Sequence, residues 1–299
     1  MLRTRLLTAA VLGPIIVAIF LVGEPWMSVL VGVAAFLALV ELVGLLDAAG
    51  HQPPQMLAIL AGIAITAAGL VTTNDESVGG VVSHLVTALD PPGLVAATLI
   101  AAMLLLAAAA FTRSDPRDGF MTWAMTSFGV AYVGLLLPMI VLVAHLAPAG
   151  GSPSTPVGPL GLPSGVAWGL TLLLVVWGYD TGAYLTGRSL GRRRLVEHIS
   201  PSKTVEGLAG GLVVGTLGAG IGALLIGLEP WHPLVIGPLV GLAAQAGDLA
   251  ESMLKRAADR KESGFLVPGH GGILDRVDSF LFAAPVLAGY ALLVAGRVA

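Results

Sequence analysis

A chain of 299 residues with a mean hydropathy of +0.91 and only 11% charged residues cannot cover a soluble surface, so composition excludes an ordinary water-soluble enzyme and points to an integral membrane protein. Cysteine is absent, which removes disulfides, thiolate nucleophiles and thiolate-held metals and leaves oxygen or histidine as the donors of any metal site. The net charge of −3 is small, and its placement along the chain says more than its size.

A membrane-crossing helix needs roughly 20 apolar residues. In chain order, nine segments qualify: about 6–23, 27–46, 55–73, 93–112, 120–147, 165–187, 205–228, 232–254 and 274–296. Arg3 and Arg5 ahead of the first run would also suit a secretory signal, but no small-residue cleavage site follows. The chain is therefore expected to be an all-α polytopic membrane protein of about nine transmembrane helices. Residues 1–150 are expected to form a scaffold of helices and residues 165–299 a catalytic region.

Cytoplasmic loops carry an excess of Lys and Arg. With the amino terminus in the cytoplasm and the carboxyl terminus outside, fourteen of the fifteen basic residues fall on the inner side, and only Arg297 falls on the outer. The outer connections 74–92 and 148–164 hold no cation. The second of these is rich in Pro, Gly and Ser and reads as a passive loop or flexible linker.

The dense polar sequence lies in two inner stretches. In the first, Asp180, Tyr184 and Arg188 recur at helical spacing and share a face. A carboxylate at membrane depth costs about 2.5–3.5 kcal/mol on the insertion scale, so Asp180 needs a partner or water, and Arg188 is one candidate. Arg192, Arg193 and Arg194 suit topology anchors as well as a substrate contact. In "HISPSKTVEG", Ser202 or Thr204 ahead of Glu206 reads as a helix cap. The hydroxyls, free backbone N–H groups and Lys203 read equally well as a phosphate seat. Gly207, Gly211, Gly215, Gly218 and Gly222 then recur at small-residue packing intervals, and no strand precedes them to make a dinucleotide fingerprint.

In the second stretch, Asp248, Ser252 and Lys255 lie on one helical face, with Glu251 one turn before Lys255. Gly264, Pro268, Gly269, Gly271 and Gly272 interrupt regular helix around His270, itself either a hydrogen-bonded loop residue or a ligand. Asp275 and Asp278 follow, three apart at the start of the last apolar segment. Burying Asp180, Asp248, Asp275 and Asp278 without compensation would cost roughly 8 kcal/mol, at about 2 kcal/mol each, as much as a typical domain's stability. Hard carboxylate oxygens beside five or more cations are what a divalent metal with a polyphosphate substrate requires.

The run S-M-L-K-R-x-x-x-x-K-E-S-G-F-L-V-P-G-H-G-G-I-L-D-R-V-D, residues 252 to 278, closely resembles the signature of phosphatidate cytidylyltransferases, also called CDP-diacylglycerol synthases. Residues 180 to 207 resemble that family's second shared block, and together the blocks cover about a fifth of the chain. Glu262 stands where the family usually has Asp, and Val267 where it usually has Leu, Ile or Phe.

The resemblance implies a magnesium-dependent membrane enzyme that makes CDP-diacylglycerol and pyrophosphate from CTP and phosphatidate. It also implies K+ at the carboxylates and a homodimer. On this reading Asp248, Asp275 and Asp278 bind the metal and, with Lys255, form the catalytic set. Asp180, Arg188, Ser200, Lys203, Arg256, Lys261, Gly269, His270, Gly271 and Gly272 contact substrate. Membrane lipids are expected as partners and nucleic acid is not, and the enzyme is expected in the cell membrane with its site on the cytoplasmic side. The alternative is a cation- or proton-coupled transporter, whose charges should instead gather near the bilayer midplane in two related halves.

Because the chain has no cysteine, Arg193→Cys, Ser154→Cys and Trp231→Cys each give a single thiol. An impermeant thiol reagent applied to intact cells is expected to label positions 154 and 231 and to spare 193. Strong labelling at 193 would overturn the inner placement of the basic loops.

Overall fold

The computed structural model describes residues 2–71, 91–266 and 271–293. Helices α1 (Leu2–Val22), α2 (Trp26–Ala48), α3 (Gln55–Val71), α4 (Pro91–Ala110), α5 (Pro116–Leu136) and α6 (Met139–Ala144) are followed by α7 (Ser164–Leu190), α8 (Val205–Ile226), α9 (Pro233–Ala257) and α10 (Leu274–Leu293). Seven spans among the described residues are long and apolar enough to cross a membrane, with α5 and α6 counted as one. Helix α3 and the apolar run Ala10–Val22 of α1 are shorter. Each expected apolar segment is thus helical among the described residues, the fifth as two helices. At 1.5 Å per residue the 17 residues of α3 reach about 26 Å, slightly less than a hydrocarbon core.

The long fifth segment is broken where Pro138 supplies no N–H, and the helix restarts at Met139. Helix α5 begins with Pro116 after Asp115, whose Oδ1 accepts from the Arg117 N–H at 2.9 Å. The structure also holds two short hairpins absent from the helical reading. Strand β1 (Pro156–Val157) pairs antiparallel with β2 (Leu162–Pro163), and β3 (Arg194–Val196) pairs antiparallel with β4 (Ser200–Thr204). The 148–164 connection is therefore shaped rather than a plain linker: Gly158, at φ +61°, lies so close to the Leu225 carbonyl that no Cβ would fit.

The chain divides into two compact units that interleave along the sequence, one of residues 1–27, 142–253 and 277–299, the other of residues 28–141 and 254–276. In the first, α7 and α8 pack backbone to backbone through the glycine series. A Cβ at Gly211 would lie 2.7 Å from the Tyr179 ring, one at Gly218 would lie 2.5 Å from the Leu174 carbonyl oxygen, and one at Gly182 would lie 2.7 Å from the Gly210 oxygen. The packing reading of these glycines is borne out. Helix α9 joins through Gly241, whose added Cβ would lie 3.0 Å from Tyr179, and α1 contributes buried Phe20 against Gly169 of α7. Between α8 and α9, His232 shares a 2.6 Å hydrogen bond with the Tyr290 hydroxyl, and burial holds its imidazole below the ordinary histidine pKa.

In the second unit, α2, α3 and α5 close around Leu39, Leu42 and Ile65. Gly62 faces Leu39, Gly129 faces Leu42, and Gly134 faces the Gly62 carbonyl, so here too small residues bring helices together. At one end Thr122 donates to the His51 carbonyl at 2.6 Å, and Arg113 donates to Gln52 Oε1 at 2.9 Å.

Gly211→Val is expected to destabilise the α7–α8 contact by about 1–3 kcal/mol, seen as a lower melting temperature and yield in detergent. Gly220→Val, at a glycine with no atom within 4 Å of an added Cβ, serves as the neutral control.

Candidate active site

The β3–β4 hairpin carries the polar sequence between α7 and α8. Thr204 is the N-cap of α8, its Oγ1 accepting from the Gly207 N–H at 3.0 Å. The Glu206 carboxylate reaches back to accept from the N–H groups of Arg192 and Arg193 at 2.9 and 3.1 Å. These contacts assign Thr204 to the cap, whereas Arg192, Arg193 and Arg194 leave their side chains exposed.

Lys203 extends from β4 to α9, where its ammonium lies 2.6 Å from Asp248 Oδ2 in a half-buried ion pair. Ser252, one turn on, has its hydroxyl 3.4 Å from Asp248 Oδ1. Beneath this pair the buried Tyr179 hydroxyl donates to Gln245 Oε1 at 2.8 Å, tying α7 to α9 one turn from Asp248. The sequence reading missed both members of this contact. Gly247 approaches the Asp278 carbonyl too closely for a Cβ, which brings the turn of α9 bearing Asp248 against the turn of α10 bearing Asp278. Asp278 is itself buried, with Oδ1 accepting from the Ser279 N–H at 2.6 Å.

The other unit holds the second ion pair. Lys255 donates to Asp275 Oδ1 at 2.5 Å, with both side chains largely buried. Helical spacing offered Glu251 as its partner. The structure shows a contact that helical spacing could not offer, to Asp275, 20 residues further along the chain. Asp275 Oδ2 accepts from the Ser263 N–H at 2.9 Å and the Gly272 N–H at 2.8 Å, and the Ser263 hydroxyl lies 2.9 Å away. Gly271 adopts φ +81°, and an added Cβ there would lie 2.7 Å from Asp275 Oδ2, so glycine is required on both grounds.

Glu41 of α2 meets the same segment. Its carboxylate accepts from the Ile273 N–H at 3.0 Å, the Leu274 N–H at 2.8 Å and the Ser263 hydroxyl at 3.0 Å, and only 7% of the residue is exposed. Hydrogen bonds to a charged group contribute about 1.5–3 kcal/mol each, enough to offset the cost of placing this carboxylate in an apolar helix. Glu41 lies outside both signature blocks, and the sequence reading passed over it. The signal was present, since it is the one charged residue between Trp26 and Leu46.

The remaining expected residues fall as follows. Asp180 is exposed on α7, and Arg188 donates to the Tyr184 hydroxyl at 2.8 Å. Ser200 is buried at the start of β4. Arg256 donates to the Arg260 carbonyl at 3.0 Å, and Arg256, Lys261 and Arg276 are exposed. Gly269 and His270 lie outside the described residues. Among the described residues no group of three or more His, Asp or Glu is placed to hold a metal ion.

This arrangement has relatives. Residues 3–294 match the model of a cytidylyltransferase family. The chain belongs to the cytidylyltransferase family. A phosphatidate cytidylyltransferase of Staphylococcus haemolyticus is 31% identical over 290 residues, covering 96% of this chain and 97% of that protein. Phosphatidate cytidylyltransferases of Bacillus subtilis and Synechocystis are 50% and 42% identical over 126 and 156 residues. Those two alignments cover 40% and 50% of this chain, and the chain spans about half the length of either relative, 47% and 52%.

For this cytidylyltransferase-family chain, Gly271→Val is expected to displace Asp275 and lower cytidylyl transfer at least about tenfold, roughly 1.4 kcal/mol of barrier, while the protein still inserts. Unchanged activity at normal expression would make Gly271 a plain turn residue.

Proposed function

We propose that the chain transfers the cytidylyl group of CTP to phosphatidate, forming CDP-diacylglycerol and releasing pyrophosphate. The observation that carries this reading is the pair of lysine–aspartate contacts, Lys203 with Asp248 and Lys255 with Asp275, within a chain matched almost end to end by a phosphatidate cytidylyltransferase. A phosphate oxygen of phosphatidate attacks the α-phosphorus of CTP, the bond from that phosphorus to the β-phosphate bridging oxygen breaks, and pyrophosphate leaves. The nucleophile is ionised near neutral pH, so no strong general base is needed. Lys203 and Lys255 offset phosphate charge from largely buried positions, and exposed Arg256 and Lys261 draw in the polyanion. Asp180, Arg188, Ser200 and the glycines at 271 and 272 complete the proposed substrate contacts.

Asp248, Asp275 and Asp278 offer hard oxygens of the kind magnesium takes, but the described residues gather no three such groups to hold an ion. Magnesium therefore enters the proposal through the resemblance alone, with Asp248, Asp275 and Asp278 as the acids it implies, and Asp248 and Asp275 are here paired with Lys203 and Lys255. When bound, magnesium offsets negative charge on the leaving pyrophosphate. A potassium ion at the same carboxylates, a homodimer, a plasma-membrane location and a cytoplasmic site belong to the same proposal. The transporter alternative gains no support, since the relatives described above are named as transferases.

Labelled CTP supplied with phosphatidate and magnesium in detergent is expected to yield lipid-linked CMP, and a protein that forms none refutes the reading. Asp275→Asn and Asp278→Asn are each expected to lower turnover by at least about a hundredfold, roughly 2.7 kcal/mol of barrier, without loss of membrane insertion. Near-normal magnesium-dependent turnover in either variant would remove that residue from the metal set.

A further inference from the structure

Glu41 takes the two backbone N–H groups that open α10, those of Ile273 and Leu274, and also receives the Ser263 hydroxyl. One side chain therefore ties Ser263 to the start of α10 from a helix more than two hundred residues away. Gly264 and Gly272 make the approach possible, because a Cβ at either position would strike the Glu41 carboxylate. Ser263 and Gly272 are also the residues whose N–H groups hold Asp275 Oδ2. The Ser263 hydroxyl lies within 3.0 Å of both carboxylates, and a hydroxyl has one proton to donate. It serves one carboxylate at a time, and the backbone donors fix both acids throughout.

We infer that Glu41 is a positioning residue for cytidylyl transfer: it fixes Ser263 and the first turn of α10, and through them the orientation of the Asp275 carboxylate. The activity arm of the inference rests on the transferase reading, whereas its conformational arm rests on these contacts alone. A helix N-terminus otherwise attracts anions, and here a carboxylate of the protein occupies it. Phosphate charge is left to the lysines.

The test uses the full-length protein in detergent. Glu41→Gln keeps the side-chain volume but replaces one acceptor oxygen with an NH2 group that faces a donor. Trypsin cleavage after exposed Arg260 and Lys261 is expected to accelerate about tenfold or more, reporting a freer turn at Arg260–Ser263 at a nearly unchanged melting temperature. In the transferase assay kcat is expected to fall about tenfold, with the KM for CTP changing less than about threefold and the magnesium requirement rising. Ser263→Ala, the milder change, is expected to accelerate cleavage less. Combined with Glu41→Gln it should add little, because the two act through one contact.

A wild-type cleavage rate in Glu41→Gln overturns the inference, as does full additivity of the two substitutions. If Glu41→Gln fails to insert, Ser263→Ala decides the matter, and wild-type cleavage and turnover in that variant overturn the inference. If the wild-type protein forms no lipid-linked CMP, the transferase reading fails on its own, and the cleavage comparison still decides whether Glu41 holds Ser263.

Discussion

A carboxylate in an apolar helix must find donors within the protein, because hydrocarbon supplies none. The polar end of α10 is organised by that demand. Asp275 accepts from Lys255, from the Ser263 N–H and from the Gly272 N–H, and Glu41 accepts from the next two backbone donors along the chain. The glycine-rich stretch that precedes α10 makes this possible. Gly264 and Gly272 admit the Glu41 carboxylate, and Gly271 turns with a positive φ beside Asp275. Charge, turn chemistry and close approach thus support one another, and no one of them can be altered without disturbing the other two.

Much of this was legible in the sequence, for identifiable reasons. Lipid demands long uninterrupted apolar runs, and those runs gave the helices. The glycine interval of α8 is local, so its packing role could be read before its partner was known. Thr204 was legible as a cap because the hydroxyl, the acidic residue and the apolar run are neighbours in sequence. The signature placed Lys255, Asp275 and the glycines in one stretch, and the structure brings them together.

Contacts between distant segments were not legible. Tyr179 and Gln245 are 66 residues apart, and Glu41 and Ser263 are 222 apart, so neither pair leaves a local pattern. Lys255 shows the same limit: helical periodicity offers Glu251 as a neighbour but cannot offer Asp275, which lies beyond a break in the helix. The hairpins escaped notice because strands of two to five residues inside a basic or Pro-rich connection have too little length for alternation to show. Pro138 was visible in the sequence, but the apolar run around it hid the interruption it causes.

The glycine seam between α7 and α8 has a mechanical consequence. A contact made by backbone atoms has no χ angle, so it has no alternative rotamers through which two helices could slide or loosen by small steps. Gly182 and Gly218 press directly on backbone atoms of the opposing helix. Sliding of α7 past α8 would have to break these contacts outright, because side-chain repacking cannot relieve them. The hairpin that links their ends, with Lys203 on β4 directly before the Thr204 cap of α8, is thus anchored at both ends to helices joined by backbone contact.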